Sequence, residues 1–466
     1  MSTISTMHDT APARGAASLK LSPVAVTGGM RTPFVRSFAE LAGVPADRLG
    51  QMAVNGLLGQ SALAADDIDE VVFGNVAGPA DASNIARVIA LRSGIPHDRI
   101  AHTVNRNCGS GMEALLSGWH ALAAGRSEAI IAGGTESMSQ VPLLWDRRMG
   151  SVFLQLRKAK SLRQKLAVAM RVRPDWFRPV PALELGLNDP VCGLSMGQTA
   201  ERLARDFGIT REQQDAFALE SHRRAAAARD RGFLAGELLP LFPPAAENRG
   251  QDDPLYGLRV AVEHDLTIRD DQTAERLARL RPVFQRDNGT VTAGNSCPVT
   301  DGAVALGLML PEVAAERGIE PLGRITAYAI AGCDPARMGL GPVYAMHRLF
   351  EQTGLTLNDF DLIEINEAFA AQVLACVEAL DCGSFCREEL GRDEPIGRIA
   401  LDRLNVNGGA IALGHPVGAT GARLVLTLLR ALRERNLRRG LAALCIGGGQ
   451  GMAVVVETEP ASGGSN

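Results

Sequence analysis

Ala-Ile-Ile-Ala-Gly-Gly-Thr-Glu-Ser, residues 129–137, is an apolar run that ends in a glycine turn. A second run of this kind, Leu-Ala-Ala-Leu-Cys-Ile-Gly-Gly-Gly, occupies residues 441–449. Short apolar runs that end in glycine turns and are followed by helical periodicity are typical of buried parallel strands covered by helices. The sequence therefore predicts an α/β fold.

The order of elements around these two runs is repeated along the chain. In the first half, a strand-like run at 69–74 is followed by a segment ending at 105–108, a helix and the strand at 129–132. In the second half, a strand-like run at 361–366 precedes residues 404–409, a helix and the strand at 441–446. Residue identity between the halves is low, so the repeated order alone indicates an internal duplication.

The duplication divides the chain into four predicted parts. Residues 1–20, which are small and polar, form a flexible arm. Residues 21–139 and 291–311 form an N-terminal half, and 312–460 form a C-terminal half. An inserted loop domain, residues 140–290, lies between the halves and is expected to cap the active site.

Composition excludes several classes of protein. The 466 residues are 46% hydrophobic and 21% charged with a net charge of −4, which disfavours disorder and a chain-wide nucleic-acid surface. The eight cysteines include no CxxC pair, which disfavours a disulfide scaffold or a structural zinc site. No run approaches the ~18 apolar residues of a membrane helix. We expect a cytoplasmic protein without a metal.

Residues 145–178 are strongly basic, whereas the chain as a whole is slightly acidic. They carry ten cations and only two acids, interspersed with apolar residues at mostly helical spacing. A basic amphipathic helix can lie on an anionic membrane surface or bind phosphate groups. Alternatively, it can be a solvated helix that packs one face on its own domain. The sequence leaves both alternatives open.

Cys108 is the first candidate for chemistry. It precedes Gly-Ser-Gly-Met, and apolar residues from Met112 to Ala123 then follow a helical pattern. A helix that begins at or just past the cysteine would lower the pKa of the thiol and favour the thiolate. A buried structural cysteine is the alternative, and the more common role.

Three further polar residues lie at predicted strand ends or in glycine-rich turns, namely Asn366, His415 and Cys445. Open α/β sheets bind their ligands at such turns. Neither the P-loop pattern nor the GxGxxG pattern of dinucleotide sites is present. Two cysteines, a histidine and an asparagine there indicate covalent acyl transfer with proton shuttling.

The chain resembles the thiolase family over about residues 20–458. Six stretches in the family's order carry the likeness: NCGSGMEAL around Cys108, GGTESM at 133–138, GTVTAGNS at 289–296, NEAF at 366–369, NVNGGAIALGHPVGATGAR at 405–423 and CIGGGQGMA at 445–453. The resemblance implies the thiolase fold, in which two αβα halves form a five-layer αβαβα core with an inserted loop domain.

The resemblance also implies the roles of the site residues. Cys108 would be the nucleophile that carries the acyl group, and His415 would activate it and bind the thioester oxygen together with a water held by Asn366. Cys445 would be the acid/base. The N–H groups of Cys108 and Gly447 would form a second oxyanion hole. No cofactor is implied beyond coenzyme A, which is a substrate.

The resemblance also implies contacts with coenzyme A for five residues. Arg269 would lie near the adenine nucleotide and Phe284 and Phe369 would line the channel, with Ser296 and Met196 as further contacts. Ser195 stands where short-chain biosynthetic thiolases usually have a histidine.

The long basic insert is similar to that of the thiolase (beta) subunit of the trifunctional fatty-acid oxidation complex. That likeness implies a hydratase/dehydrogenase alpha subunit as partner, or peripheral membrane contact through 145–178. A homodimer or higher oligomer, formed through sheet edges, is expected. No nucleic-acid partner is expected.

The resulting prediction is an acetyl-CoA C-acyltransferase of fatty-acid β-oxidation, which cleaves 3-ketoacyl-CoA with coenzyme A. A short-chain acetoacetyl-CoA thiolase that acts in condensation is the first alternative. A ketoacyl synthase shares the nucleophile but lacks an acid/base cysteine such as Cys445. A non-catalytic acyl-CoA-binding scaffold would be marked by loss of Cys108, His415 or Cys445, and all three are present.

Overall fold

A computed structural model describes residues 21–244, 255 and 257–459; the predicted arm, 1–20, lies outside them. The strands are β1 Val24–Arg31, β2 Val35–Arg36, β3 Glu70–Gly74, β4 Ile100–Val104, β5 Ala129–Glu136, β6 Leu143–Leu144, β7 Val180–Pro181, β8 Thr300–Met309, β9 Gly323–Gly332, β10 Leu362–Ile365, β11 Arg439–Ile446 and β12 Gln450–Glu457. The α-helices are α1 Ala46–Gln60, α2 Ile85–Arg92, α3 Ser110–Ala123, α4 Arg147–Lys158, α5 Leu162–Ala169, α6 Ala182–Gly186, α7 Met196–Asp206, α8 Arg211–Asp230, α9 Ala274–Ala278, α10 Pro311–Glu316, α11 Gly341–Thr353, α12 Ala370–Asp381, α13 Gly383–Leu390, α14 Ala410–Leu413 and α15 Thr420–Glu434.

The strand order repeats between the two halves. The N-terminal half is ordered β4-β3-β5-β8-β1, and the C-terminal half is ordered β10-β11-β12-β9. A parallel bridge between Ile363 and Leu404 stands where β4 stands in the first half. Strands β1 and β9 pair antiparallel and join the halves. The duplication inferred from the sequence is therefore present as a repeated topology.

The sheet is mixed, whereas the glycine-ended runs predicted parallel strands. β5 pairs parallel with β3 on one side but antiparallel with β8 on the other. β11 likewise pairs parallel with β10 and antiparallel with β12. Both runs are buried throughout, so their composition reports burial and not strand direction.

Helices and sheets alternate in five layers. Helices α3 and α15 pack against each other between the halves, with α3 on β5 and α15 on β11. Helix α1 covers the outer face of the N-terminal half at β8, and α11 covers the outer face of the C-terminal half at β9 and β12. The central layer is largely apolar, and α15 is buried at every residue from Thr420 to Leu429, which lets it pack on both sides. This αβαβα order is the predicted one.

The basic segment 145–178 forms two α-helices, α4 and α5, between the short strands β6 and β7, which pair antiparallel. Helix α4 buries Met149 and Val152, but α5 buries none of its residues. Several large apolar side chains are exposed there, among them Leu162 (79%) and Met170 (75%). Helix α4 therefore packs part of one face on the protein, whereas no residue of α5 is buried.

Residues 196–230 form two helices. Helix α7 ends at Asp206, and α8 begins at Arg211 behind a capping box made by Thr210 and Gln213. Gly208 between them has a φ of +63°, a conformation that a helix interior excludes. Among the described residues, no helix is long and apolar enough to cross a membrane.

Candidate active site

Cys108 lies in the turn between β4 and α3, and the neighbouring Asn107 holds this turn against the opposite half. Asn107 has a φ of +46°, and its Nδ2 donates a hydrogen bond of 2.8 Å to the Gly447 carbonyl oxygen. A Cβ on Gly109 would come within 2.7 Å of Ile446 Cδ1, so a larger residue there would displace the Ile446 side chain. The turn that carries the predicted nucleophile is thus joined to Gly447, the predicted oxyanion donor, through Asn107.

The electrostatics of Cys108 differ from the expectation of a lowered pKa. Burial raises the pKa of the Cys108 thiol, while backbone N–H groups of Gly447 and of Cys108 itself act to lower it. Helix α3 begins two residues later, at Ser110. Desolvation of Cys108 therefore outweighs the stabilisation of its thiolate by these N–H groups. The two N–H groups are the same pair that the resemblance assigns to an oxyanion hole.

His415 is buried and electrically neutral at physiological pH. Burial lowers its pKa to about 4, and the positive charge of Arg423 acts in the same direction. Thr420 Oγ1 donates to the Pro416 carbonyl at 2.9 Å and also lies 2.6 Å from His415 Nδ1. Since that hydroxyl has one proton, Nδ1 must be the donor to it, which leaves Nε2 unprotonated and able to accept a proton.

Asn366 follows β10, and its side-chain amide lies beside this free imidazole nitrogen. Asn366 Nδ2 is 3.5 Å from His415 Nε2, a distance at which any hydrogen bond is weak. Asn366 is fully buried, and its Oδ1 has no hydrogen-bond partner among the described residues. A buried amide oxygen without a partner is a site where a water or substrate group can bind.

Cys445 lies near the end of β11 and is 2% exposed. Burial raises the pKa of its thiol well above the ordinary value, and charge on Cys108, Cys376 or Cys297 would raise it further. Cys445 packs in one apolar cluster with Phe369 and Met196. A buried thiol that keeps its proton in this way is suited to donate it to a developing carbanion.

A cavity of about 600 Å³ opens beside Cys108 and Gly447. Its lining is mostly apolar and comes from the loop after β3, from residues 138–142 and from α6 with the turn that follows it. The apolar lining residues are Val76, Ala77, Met138, Val141, Pro142, Ala182, Leu183, Leu185, Leu187, Val191, Met196 and Val417. Mostly apolar cavities of this size are typical of small-molecule sites.

Arg269 and Ser296 line a second, smaller cleft together with His222. The Arg269 N–H donates to His222 Nδ1 at 3.2 Å, and the Ser296 hydroxyl donates to the Thr292 carbonyl at 2.7 Å. Arg269, Arg223 and Arg229 line an adjoining groove together with Asp230 and Asp270, and both aspartates pair with Arg229. Arg269 and Arg223 are suited to bind phosphate groups there.

The remaining predicted contacts lie between these two cavities. Phe284 and Phe369 meet edge to face with ring centroids 5.9 Å apart. Phe369 also forms an antiparallel bridge with Ser296. The structure therefore places Cys108, Gly447 and Met196 on one cavity and Arg269 and Ser296 on another, with the two phenylalanines near Cys445.

Two family models match the chain: "Thiolase, N-terminal domain" over residues 24–312 and "Thiolase, C-terminal domain" over residues 319–458. The chain belongs to the thiolase family. It is 41% identical over 437 residues to a 3-ketoacyl-CoA thiolase of Klebsiella pneumoniae (strain 342), covering 94% of this chain and 97% of the relative. A 3-ketoacyl-CoA thiolase of Escherichia coli (strain SMS-3-5 / SECEC) is 40% identical over 438 residues, with the same shares of each chain.

Solved thiolase structures also superpose on this chain. Human mitochondrial 3-ketoacyl-CoA thiolase matches with a TM-score of 0.79 and 35% identity, covering 94% of this chain and 99% of that one. The acetyl-CoA acetyltransferase of Bacillus anthracis matches with a TM-score of 0.80 and 34% identity over the same shares. The predicted thiolase fold and the prediction of an acyltransferase are thereby confirmed.

Several buried polar residues around the site were not assigned a role from the sequence. Thr420, which orients His415, and Glu136, which contacts the loops on both sides of the cavity, are two of them. Both residues lie within the stretches that carry the resemblance to the family, at 133–138 and 405–423. The resemblance could therefore have pointed to these positions, but not to the contacts that the two side chains make. In the described part of the chain, no cluster of His, Cys, Asp or Glu could hold a metal ion.

Proposed function

We propose that this thiolase is an acetyl-CoA C-acyltransferase that cleaves 3-ketoacyl-CoA with coenzyme A. The products are acetyl-CoA and an acyl-CoA shortened by one acetyl unit. The observation that carries the proposal is a cysteine at the end of an apolar cavity, with two backbone N–H groups acting on its sulfur. The Klebsiella and Escherichia relatives, named 3-ketoacyl-CoA thiolases, support the same substrate class.

In the first half-reaction, His415 Nε2 takes the thiol proton of Cys108 and the thiolate attacks the 3-keto carbon. The resulting oxyanion is held by the N–H groups of Cys108 and Gly447, donors whose removal in comparable sites costs about 3–4 kcal/mol of transition-state stabilisation. The carbon–carbon bond then breaks. The acyl group stays on Cys108, and the enolate of acetyl-CoA leaves.

The enolate oxygen is stabilised by the proton now on His415 Nε2 and by a water held at Asn366 Oδ1. Cys445 donates its proton to the enolate carbon, which its raised pKa favours because the thiol is still protonated at neutral pH. Acetyl-CoA can then dissociate. Cys445 is left as a thiolate.

In the second half-reaction, coenzyme A gives its thiol proton to the Cys445 thiolate and attacks the thioester on Cys108. The Cys108 thiolate leaves and recovers its proton from His415, so every group returns to its starting state. Two successive products and a covalent intermediate give ping-pong kinetics. No cofactor or metal takes part, and coenzyme A is a substrate.

The nucleotide end of coenzyme A is assigned to the groove of Arg269 and Arg223, in which Arg229 pairs with Asp230 and Asp270. Coenzyme A carries phosphate groups, for which arginine side chains are suited ligands. Ser296, Phe284, Phe369 and Met196 would lie along the path from this groove to the cysteines. A solved complex of human mitochondrial 3-ketoacyl-CoA thiolase with CoA supports coenzyme A as the ligand class.

The cavity beside Cys108 favours long acyl chains over the short-chain alternative. The cavity has a volume of about 600 Å³, whereas one water molecule in the liquid occupies roughly 30 Å³. The cavity can therefore accommodate an acyl chain of many methylenes. Acetoacetyl-CoA would leave nearly all of this apolar surface uncovered. We therefore place the chain in degradation of medium and long acyl chains, in the cytoplasm.

Two surfaces are proposed for partners. Strand β4 ends the sheet order and exposes Ile100 (51%), which suits pairing with a second copy into a homodimer. The exposed apolar and basic residues of α4 and α5 suit an anionic membrane surface or a hydratase/dehydrogenase alpha subunit.

Thiolysis by the purified chain tests the proposed function. Loss of the enolate absorbance of acetoacetyl-CoA and of a long-chain 3-ketoacyl-CoA is followed as coenzyme A is added. We expect turnover, an acyl group on Cys108 by mass spectrometry, and neither in Cys108→Ala. Cys382→Ala, which removes a partly exposed thiol elsewhere, serves as the control. Turnover in Cys108→Ala would overturn the assignment of the nucleophile.

A further inference from the structure

Glu136, the last residue of β5, is a fully buried carboxylate at the boundary between the two halves. Its Oε1 accepts hydrogen bonds from Asn75 Nδ2 at 2.9 Å and from the Ala77 N–H at 3.0 Å. Its Oε2 accepts from the N–H groups of Val76 and Gly418, both at 3.0 Å. Four donors from two separate loops therefore converge on one side chain.

Among the described residues, no cation forms an ion pair with Glu136. The interactions that stabilise its negative charge are the hydrogen bonds from neutral donors. A buried carboxylate held only by neutral donors is costly to form and is retained where its contacts are required. This sets Glu136 apart from the buried Glu364, which pairs with Arg423 at 3.0 Å.

The two loops joined by Glu136 are those that flank the reacting groups. Val76 and Ala77 line the cavity beside Cys108, and Val417, next to Gly418, lines it from the other side. Gly418 follows His415 by three residues. The backbones meet closely here, since a Cβ on Gly134 would come within 1.9 Å of the Gly418 carbonyl oxygen. Gly418 and His415 lie in one loop, so a shift of Gly418 would also move His415 relative to Cys108.

We propose that Glu136 is a positioning residue that holds the His415 loop and the Val76–Ala77 wall of the cavity in place against Cys108. To hold both loops, the side chain needs two oxygens that each accept hydrogen bonds from one pair of donors. A glutamine would present its NH₂ group to two N–H donors, and that pair would lose its acceptor. The inference rests on the proposed function, because it assigns His415 as the base for Cys108.

The charge of Glu136 gives the proposal a second readout. Burial raises the pKa of Glu136 to about 7, against the effect of its backbone N–H donors, and the neighbouring Asp301 raises it further. The negative charge of Glu136 in turn raises the pKa of the Cys108 thiol. Removing the charge should therefore lower the pKa of Cys108 even while turnover falls.

Glu136→Gln tests this, with Glu70→Gln as the matched control. Glu70 is also a buried glutamate of the N-terminal half, but it lies at the start of β3 and accepts hydrogen bonds from Arg126 and Ser127 and from neither loop of the site. For Glu136→Gln we expect kcat for thiolysis to fall about 10- to 100-fold, as for a small misplacement of reacting groups, with KM within about twofold. The pH dependence of Cys108 alkylation should shift to lower pH. Glu70→Gln should show neither change.

Three outcomes would overturn the proposal: unchanged kcat in folded Glu136→Gln, an unshifted alkylation profile, or equal losses in Glu70→Gln. If Glu136→Gln does not fold, Glu136→Asp is used, which keeps the charge but shortens the side chain. It should lower kcat and leave the alkylation profile in place, and wild-type kcat would refute the role. Absence of thiolysis in the wild type would refute the proposed function instead, while alkylation would still report on Glu136.

Discussion

Narrowing the cavity beside Cys108 should change which acyl chains this thiolase accepts. Gly186, the last residue of α6, lines the cavity, and no atom lies within 4 Å of the position that its Cβ would occupy. Its φ is not in the left-handed region, so a larger side chain does not strain the backbone. Gly186→Phe therefore adds a benzyl group to the cavity wall with little cost to the fold.

The size of the effect follows from the methylenes that the ring displaces. Burial of one methylene contributes about 0.8 kcal/mol, so displacing two or three from the cavity costs about 1.6–2.4 kcal/mol. For a long-chain 3-ketoacyl-CoA, kcat/KM should then fall by about 15- to 60-fold. Acetoacetyl-CoA has no chain to reach α6, and its kcat/KM should stay within about twofold.

The assay is thiolysis of a chain-length series by both variants and the wild type. Gly150→Phe is the matched control, because Gly150 is also an exposed helical glycine with open space around its Cβ position and does not line the cavity. It should leave the whole series unchanged. Equal losses on short and long substrates in Gly186→Phe, or no loss on either, would refute the assignment of this cavity to the acyl chain.

Three further predictions concern the catalytic groups and the basic helices. Because burial lowers the pKa of His415 to about 4, its imidazole is neutral above that pH, and the acid limb of kcat/KM should lie near pH 4; a limb near 6.5 that disappears in His415→Asn would contradict this. Cys445→Ser should still form the acyl-enzyme from an activated acyl thioester but fail to exchange the methyl protons of acetyl-CoA with deuterium; normal exchange would exclude Cys445 as the carbon acid/base. Replacing Arg163, Lys165 and Arg171 by Gln should weaken binding to anionic vesicles at low salt, while Arg433→Gln on α15 should not; equal binding by all variants would return α5 to an ordinary solvated helix.

Local sequence patterns predict some elements of this fold and leave others undetermined. The strands near 69–74, 129–132, 361–366 and 441–446, the helix after Cys108 and the duplication were all predicted, since apolar runs and their period depend only on neighbouring residues. Strand direction was not, because β5 and β11 are buried on both faces whichever way their neighbours run. The break between α7 and α8 is marked by Gly208 and by the capping box at Thr210, which are local features of the sequence.

The active site likewise has features that the sequence determines and features that only the folded structure decides. Which residues could react was determined by the sequence, because a thiol, an imidazole and glycine-rich turns are local features that appear directly in its letters. Only the tertiary structure decided how they behave: burial gives Cys108 a raised pKa where a helix terminus predicted a lowered one, and Thr420 decides which imidazole nitrogen of His415 is free. Asn107, Glu136 and Gly418 meet their partners across the two halves, at separations of up to 340 residues along the chain. Desolvation and such contacts depend on what packs around a residue in space, and no pattern of neighbours along the sequence contains that information.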